Sequence, residues 1–315
     1  MDYREYSELV DVPHVVVDGS AQSGTVLTLS HWPGAATPAA VRADLSAEIA
    51  FRYLDRSELH VDAPYVTNNH FDQDGLVAVY ALTEPVAALD HREQLIDIAR
   101  AGDFSHFHDR DAARAAIAIA ELGSAVDGDP YPSVLAEVPR LLTDIGAYRD
   151  LWAAQDEHIT LTEGAIADGT ITISEEPDLD LAVVRVPATW TERIVQQFMR
   201  TERHVAHTYA LYNATDRFTV VTVGAGPPEL QYRYEGWVEY QSRRPRPRVD
   251  LADLATAFTA QETGAGRWQF DGVDSLSPAL HLTDADASSI SDAEFIAAVR
   301  AELSAARRTW SPYTD

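Results

Sequence analysis

The stretch VTNNHFDQDGLVAVYAL (66–82) decides how this chain is read. One imidazole and two carboxylates, His70, Asp72 and Asp74, alternate just before an apolar run. Residues two apart in an extended segment share a face. The three side chains are therefore expected to point one way off the end of a strand, with Gly75 allowing a sharp turn. LVAVYAL then reads as the helix that follows the turn. Hard oxygen donors beside an imidazole suit Mn²⁺ or Mg²⁺, one or two ions, better than a soft metal. The alternative is an acidic turn whose histidine closes the loop.

Working outward, HVVVDG (14–19) and TVLTLSHW (25–32) read as strands, and Thr37-Pro38 as the start of a helix carrying Val41, Leu45, Ile49 and Tyr53 on one face. HREQLIDIARAGDF (91–104) reads as a helix with Leu95, Ile98 and Ala99 inward, ended by Gly102. Asp109 or Asp111 caps the next helix, and a long helical stretch runs from Ser133 to about Glu157. Strands alternating with helices in this way give an α/β fold, with a mainly parallel sheet flanked by helices in an N-terminal domain. The period switches from helix to strand near 165–170, so the expected division is 1–168, a metal-binding domain, and 169–315, a smaller α+β substrate-binding domain. In the second part Ile194, Phe198, Val205 and Tyr209 are spaced like a helix, RFTVVTVG and LQYRYEGWVEYQSR like strands, and VDLADLATAFTAQE like a helix.

Composition excludes several chemistries. The 315 residues contain no cysteine, which rules out disulfides, thiol nucleophiles and cysteine-held metals and fits a cytoplasmic chain. There is no lysine either: all 24 basic residues are arginine. Schiff-base, P-loop and kinase lysines are thereby absent. A GC-rich genome is sufficient to explain the arginine bias. The formal charge of −26 opposes binding of long duplex nucleic acid. Salt adaptation is a second account of that acidity. No apolar run approaches a membrane span, and the N-terminus lacks the apolar segment of a signal peptide.

Other candidates surround the motif. Asp103, between Gly102 and Phe104, is expected to be half buried and in need of a metal or a base. His106 and His108 follow it. Asp18 and His31 sit at strand ends, where parallel sheets gather their sites. His204 and His207 read as surface histidines one helical turn apart. Arg243, Arg244, Arg246 and Arg248 form the only dense basic run, either a phosphate-binding fork cluster or a solvated Pro-broken loop. Trp268 reads as packing.

HFDQDG with its following apolar helix resembles the first motif of the DHH phosphoesterase superfamily, whose members carry H-x-D-x-D-G at a strand end. The resemblance implies Mn²⁺ ligation by His70, Asp72 and Asp74, with Asp103 matching a later isolated aspartate, and hydrolysis of phosphoanhydrides or phosphodiesters. It also implies an α/β domain followed by a smaller substrate domain. The family's Asp-His-His triplet is replaced by Asp90-His91-Arg92, the nearest substitute being Asp103-Phe104-Ser105-His106-Phe107-His108. Its glycine-rich C-terminal element is replaced by Gly264-Ala265-Gly266-Arg267. The chain also resembles actinobacterial proteins of unknown function that share LSHWPG and NNHFDQDG. The expected activity is metal-dependent phosphoester hydrolysis of a small phosphorylated metabolite or short oligonucleotide. In that scheme His106 is the general acid and Arg243, Arg244, Arg246 and Arg248 hold phosphate. The alternatives are a non-catalytic metal- or ligand-binding protein and a metal-dependent hydrolase of another bond. No membrane partner is expected, and a homodimer is compatible with the sequence.

Overall fold

A computed structural model describes residues 1–197 and 200–313. Strands β1 (Asp2–Tyr3), β2 (His14–Val17) and β3 (Thr25–Leu29) lead to helix α1 (Ser46–Leu54), strand β4 (Tyr65–Thr67) and helices α2 (Gln73–Thr83) and α3 (Pro85–Asp90). Helices α4 (Arg92–Phe104), α5 (Arg110–Ser124), α6 (Tyr131–Thr143) and α7 (Arg149–Ala167) follow. Then come β5 (Thr172–Glu176), β6 (Leu181–Arg185), the paired β7 (Arg193–Gln197) and β8 (Arg200–His204), α8 (Thr208–Asn213), β9 (Thr219–Val223) and β10 (Glu229–Tyr232). The chain continues through β11 (Arg248–Val249), α9 (Ala252–Gln261), β12 (Arg267–Phe270), β13 (Ala279–Thr283), α10 (Asp292–Ala305) and β14 (Thr309–Trp310). Among the described residues no helix is long and apolar enough to cross a membrane.

The chain divides into two compact units. One is Met1–His158 with Ile194–Glu202 and Glu239–Arg243; the other is Ile159–Arg193, Arg203–Val238 and Arg244–Asp315. Each is assembled from separate stretches of chain, which local periodicity does not reveal. The fold is α/β, with a four-stranded sheet that is parallel throughout and a second sheet of mixed direction.

In the first unit the strand order is β1-β4-β2-β3. All four residues of β2 are buried, as expected for a parallel strand covered on both faces. Helix α2 is buried from Gln73 to Leu82, so its apolar residues show no single stripe. It can lie this deep because Gly102 of α4 presents no side chain to it. A Cβ on Gly102 would fall 2.5 Å from the Gln73 Cβ. Gly102 therefore lies inside α4 instead of ending it; Ser105, in the left-handed region at φ 51°, is the C-cap.

Other local expectations also shift. Thr37-Pro38 does not open α1. The Thr37 hydroxyl instead donates to the Ser30 carbonyl and accepts from the Ser30 amide, and α1 begins only at Ser46. The stretch after Ser133 is two helices, because Asp144 leaves the helical region between α6 and α7. The segment read as a helix around 194–209 is β7, β8 and α8; Phe198 lies outside the described residues. Its β-branched Ile194, Val195 and Thr201 favour the strand that the four-residue spacing obscured. The LQYRYEGWVEYQSR strand stops at Tyr232 and passes into a 3₁₀ turn at Tyr234–Gly236.

The second unit is built on the sheet β12-β13-β10-β9-β6-β5. Alternation along β6 and β9 divides its two faces. Leu181, Val183, Val221 and Val223 meet Leu254 and Phe258 of α9 and Phe295 and Val299 of α10. Val184 and Val220 meet Ala165 near the end of α7 and Leu211 and Tyr212 of α8. Trp268 packs between Phe258 and Phe295 at 5.2 Å from each ring, a core residue.

Gly102→Ala is expected to destabilise the protein by about 1–3 kcal/mol, the cost of overpacking a dense contact. The urea midpoint measures it; an unchanged midpoint would mean that α2 and α4 do not meet as described.

Candidate metal centre

Three strands of the parallel sheet deliver the site from their C-terminal ends, where α/β folds bind ligands. Asp18 follows β2, His31 lies just beyond β3, and His70 and Asp72 lie between β4 and α2. Asp74 stands in the first turn of α2, and Asp103 near the end of α4. The alternation expected of His70, Asp72 and Asp74 along a strand does not occur. His70 is in a loop, and Asp72 is the N-cap of α2, its Oδ1 accepting from the Gly75 amide at 2.8 Å. The three side chains are brought together by a helix start.

Asp18 is the centre. Its Oδ1 is 3.3 Å from His31 Nε2 and its Oδ2 3.3 Å from His70 Nε2. His70 Nε2 also lies 2.8 Å from Asp72 Oδ2. His31 Nε2 lies 3.8 Å from Asp74 Oδ2 and 3.6 Å from Asp103 Oδ2. Two trios thus share one carboxylate: Asp18, His70 and Asp72, and Asp18, His31 and Asp74, each with its donor atoms within 4.8 Å of one another. Two ligands each about 2.1 Å from one ion stand roughly 3.0–3.4 Å apart in octahedral or tetrahedral geometry. The observed separations are close to that. The Asp18 Oδ2 is buried and faces His70 Nε2.

The surrounding chain fixes these groups. The Ser46 and Ala47 amides at the start of α1 donate to the two Asp74 oxygens at 2.7 and 2.8 Å, the usual use of a helix N-terminus for a carboxylate. The Ser46 hydroxyl donates to Asp18 Oδ1 at 2.8 Å and accepts from the His31 amide at 3.2 Å. His31 Nδ1 donates to the Asp44 carbonyl at 2.6 Å, which leaves Nε2 turned toward the carboxylates. Metal-binding histidines are oriented this way. Asn68 Oδ1 accepts from the His70 amide at 3.1 Å. Gly75 is required here: a Cβ would sit 2.1 Å from Asn68 Nδ2 and 2.7 Å from Tyr131 Oη.

Sequence reasoning missed Ser46, Asn68 and Tyr131. Asp44 and Glu48, whose carboxylate accepts the Asp44 amide, were the available signal for a helix starting near 46. His106 is half-buried, its ring edge-on to that of His108 at 5.2 Å. His108 turns to Asp97, which also accepts from the amides of His108 and Asp109. His204 and His207 are not one turn apart on a helix. His204 ends β8, while His207 is buried and caps α8.

The arginine run divides. Arg243 belongs to the first unit and Arg244 onward to the second. Arg244 lies over the Tyr313 ring and Arg246 is exposed. Arg248 is not a phosphate ligand. It is buried, and its guanidinium donates to the carbonyls of Ser275, Arg233 and Leu276 at 2.6–2.8 Å. Placement in β11 turns it inward, and burial pulls its pKa down to about 10.

One family model, described as a family of unknown function (DUF6687), matches residues 1–314. The chain belongs to that family. No curated protein and no solved structure matches it.

Without an ion, protons stabilise this DUF6687 centre. Burial opposes a charged His31, but the hydrogen bond to Asp18 and the charge of Asp74 outweigh it and raise its pKa to about 9. Burial likewise opposes a charged His70, and Asp72 and Asp18 raise it to about 11. Burial and the neighbouring Asp18 charge raise Asp74 to about 8. Asp18 moves the other way: burial would raise it, and His31 and His70 hold it well below the usual carboxylate range. The three raised groups bind more protons folded than unfolded. Their stabilisation is complete below each unfolded pKa and is lost as pH rises through the folded one. Metal-free protein should therefore lose melting temperature as pH rises from about 4 toward 11, most steeply between about 6.5 and 8, where all three groups lie between their unfolded and folded values. A divalent ion displaces those protons, so the gain in melting temperature on adding Mn²⁺ should be larger at pH 8 than at pH 6. Differential scanning fluorimetry reads both. A gain independent of pH, or larger at pH 6, would contradict this assignment of ligands.

Proposed function

We propose that the chain is a metal-dependent hydrolase of phosphoesters, with Mn²⁺ or Mg²⁺ held by Asp18, His31, His70, Asp72, Asp74 and Asp103. The observation that carries the reading is the sharing of Asp18 between two imidazole–carboxylate trios. Buried charge is retained only where it is compensated. Four carboxylates converge here (Asp18, Asp72, Asp74 and Asp103), and with neutral imidazoles their charge equals that of two divalent cations. When bound, such ions lower the pKa of a coordinated water and polarise a phosphoryl oxygen.

The chain's own groups supply the rest. Asp74, held by two amides of α1, and His31, held by the Asp44 carbonyl, are fixed in place before any ligand arrives. Asp72 is held from behind by the Gly75 amide, which leaves its Oδ2 facing His70. His106, three residues past Asp103 along the chain, is the proposed proton donor to the leaving group. The likeness of residues 70–75 to the first DHH phosphoesterase motif supports phosphoryl transfer over other hydrolysis. Of the arginine run, Arg243, in the unit that holds the centre, is the proposed phosphate contact. The −26 charge favours a small phosphorylated metabolite or a short oligonucleotide.

The test is a panel of phosphomonoesters, phosphodiesters and pyrophosphate assayed with added Mn²⁺. Activity is expected on at least one class, and Asp18→Asn should lower kcat/KM by about 100-fold or more. Protein that binds Mn²⁺ and hydrolyses none of the panel would support the non-catalytic binding alternative instead.

A further inference from the structure

The two trios share one chemistry, an imidazole and two carboxylates around Asp18, but differ in exposure and in how their ligands are held. The side chains of His31 and Asp74 are wholly enclosed, whereas His70 is 33% and Asp72 15% exposed. The enclosed ligands are held from behind: Asp74 by two backbone amides and His31 by a carbonyl. Asp72 has one such amide, and His70 Nδ1 has no hydrogen-bond partner. Behind the open trio, Asn68 and Tyr131 bond to each other. Asn68 Nδ2 and Tyr131 Oη, on residues 97% or more buried, both face Gly75 next to Asp72 Oδ1.

On the reading of the site given above, we propose that the two ions are unequal: the His31 trio holds a retained ion, and the His70 trio holds an exchangeable ion that receives the oxyanion of the substrate. The physical cause is access and preorganisation. An ion in the inner trio leaves only if buried, backbone-anchored ligands separate. An ion in the outer trio leaves by movement of a partly exposed histidine. Solvent and substrate meet the outer trio first, where Trp32 forms one wall, its ring 5.2 Å from that of His70. A phosphoryl oxygen is the ligand class this side takes, since an anionic oxygen is the preferred donor to a hard divalent cation.

The experiment loads the full chain with Mn²⁺, desalts it through a chelating column, and measures retained metal, then titrates the product with Mn²⁺ alone. One ion per chain should survive the column, and a second should bind at least about tenfold more weakly. Inorganic phosphate should change the electron paramagnetic resonance signal of the second ion and leave a singly loaded sample unchanged. His70→Ala, a partly exposed position, should keep the retained ion and lose the second. Two ions that bind and exchange alike, or phosphate perturbing the singly loaded sample, would overturn the proposal while leaving a metal-dependent hydrolase intact. Loss of the retained ion in His70→Ala would also overturn it. Absence of any Mn²⁺ binding would overturn both this proposal and the functional reading beneath it.

Discussion

The structure of the first unit depends on burying one carboxylate, Asp18, between two imidazoles. An ionised aspartate at 1% exposure is untenable alone. It is kept by His31 on one side, His70 on the other and the Ser46 hydroxyl on its Oδ1. Each of those partners enforces something larger. Ser46 is the point at which α1 starts. His31 requires the pinned loop between β3 and α1. His70 requires the turn between β4 and α2, and that turn requires Gly75. The positions of α1 and α2 on the parallel sheet and the geometry of the candidate centre are one arrangement described twice.

How much of this was legible follows from how local each signal is. The β2, β3 and α2 segments are contiguous and nearly uniform in polarity, so their type is readable without neighbours. Asp18 and His31 were visible as strand-end polar residues, though nothing in the sequence ranks them above His70. Their pairing depends on β2 lying beside both β3 and β4, which is a property of strand order. The His70–Asp74 motif drew attention to the right residues through the wrong geometry. A two-residue alternation looks the same whether the chain is extended or is entering a helix, and only the Asp72 cap distinguishes them. Gly102 was misread for a related reason. A glycine near a helix end suggests termination, while its use here is to admit α2, 29 residues earlier in the chain.

The arginine run shows the opposite failure. Charge density in an acidic chain suggested one surface cluster, yet Arg248 spends its donors on three backbone carbonyls. Register in a two-residue strand decides that, and so short a strand leaves no periodic trace. His207 was misjudged similarly: as an α8 cap it is buried, not presented to solvent. In both cases a polar side chain replaces missing backbone partners, which composition does not reveal.

The most direct test of the account is an anomalous-scattering map from a crystal grown with Mn²⁺. Two peaks flanking the Asp18 carboxylate are predicted, one with His31 and Asp74 as ligands and the other with His70 and Asp72. A map with no peak at Asp18, or with Mn²⁺ only at surface carboxylates, would contradict it.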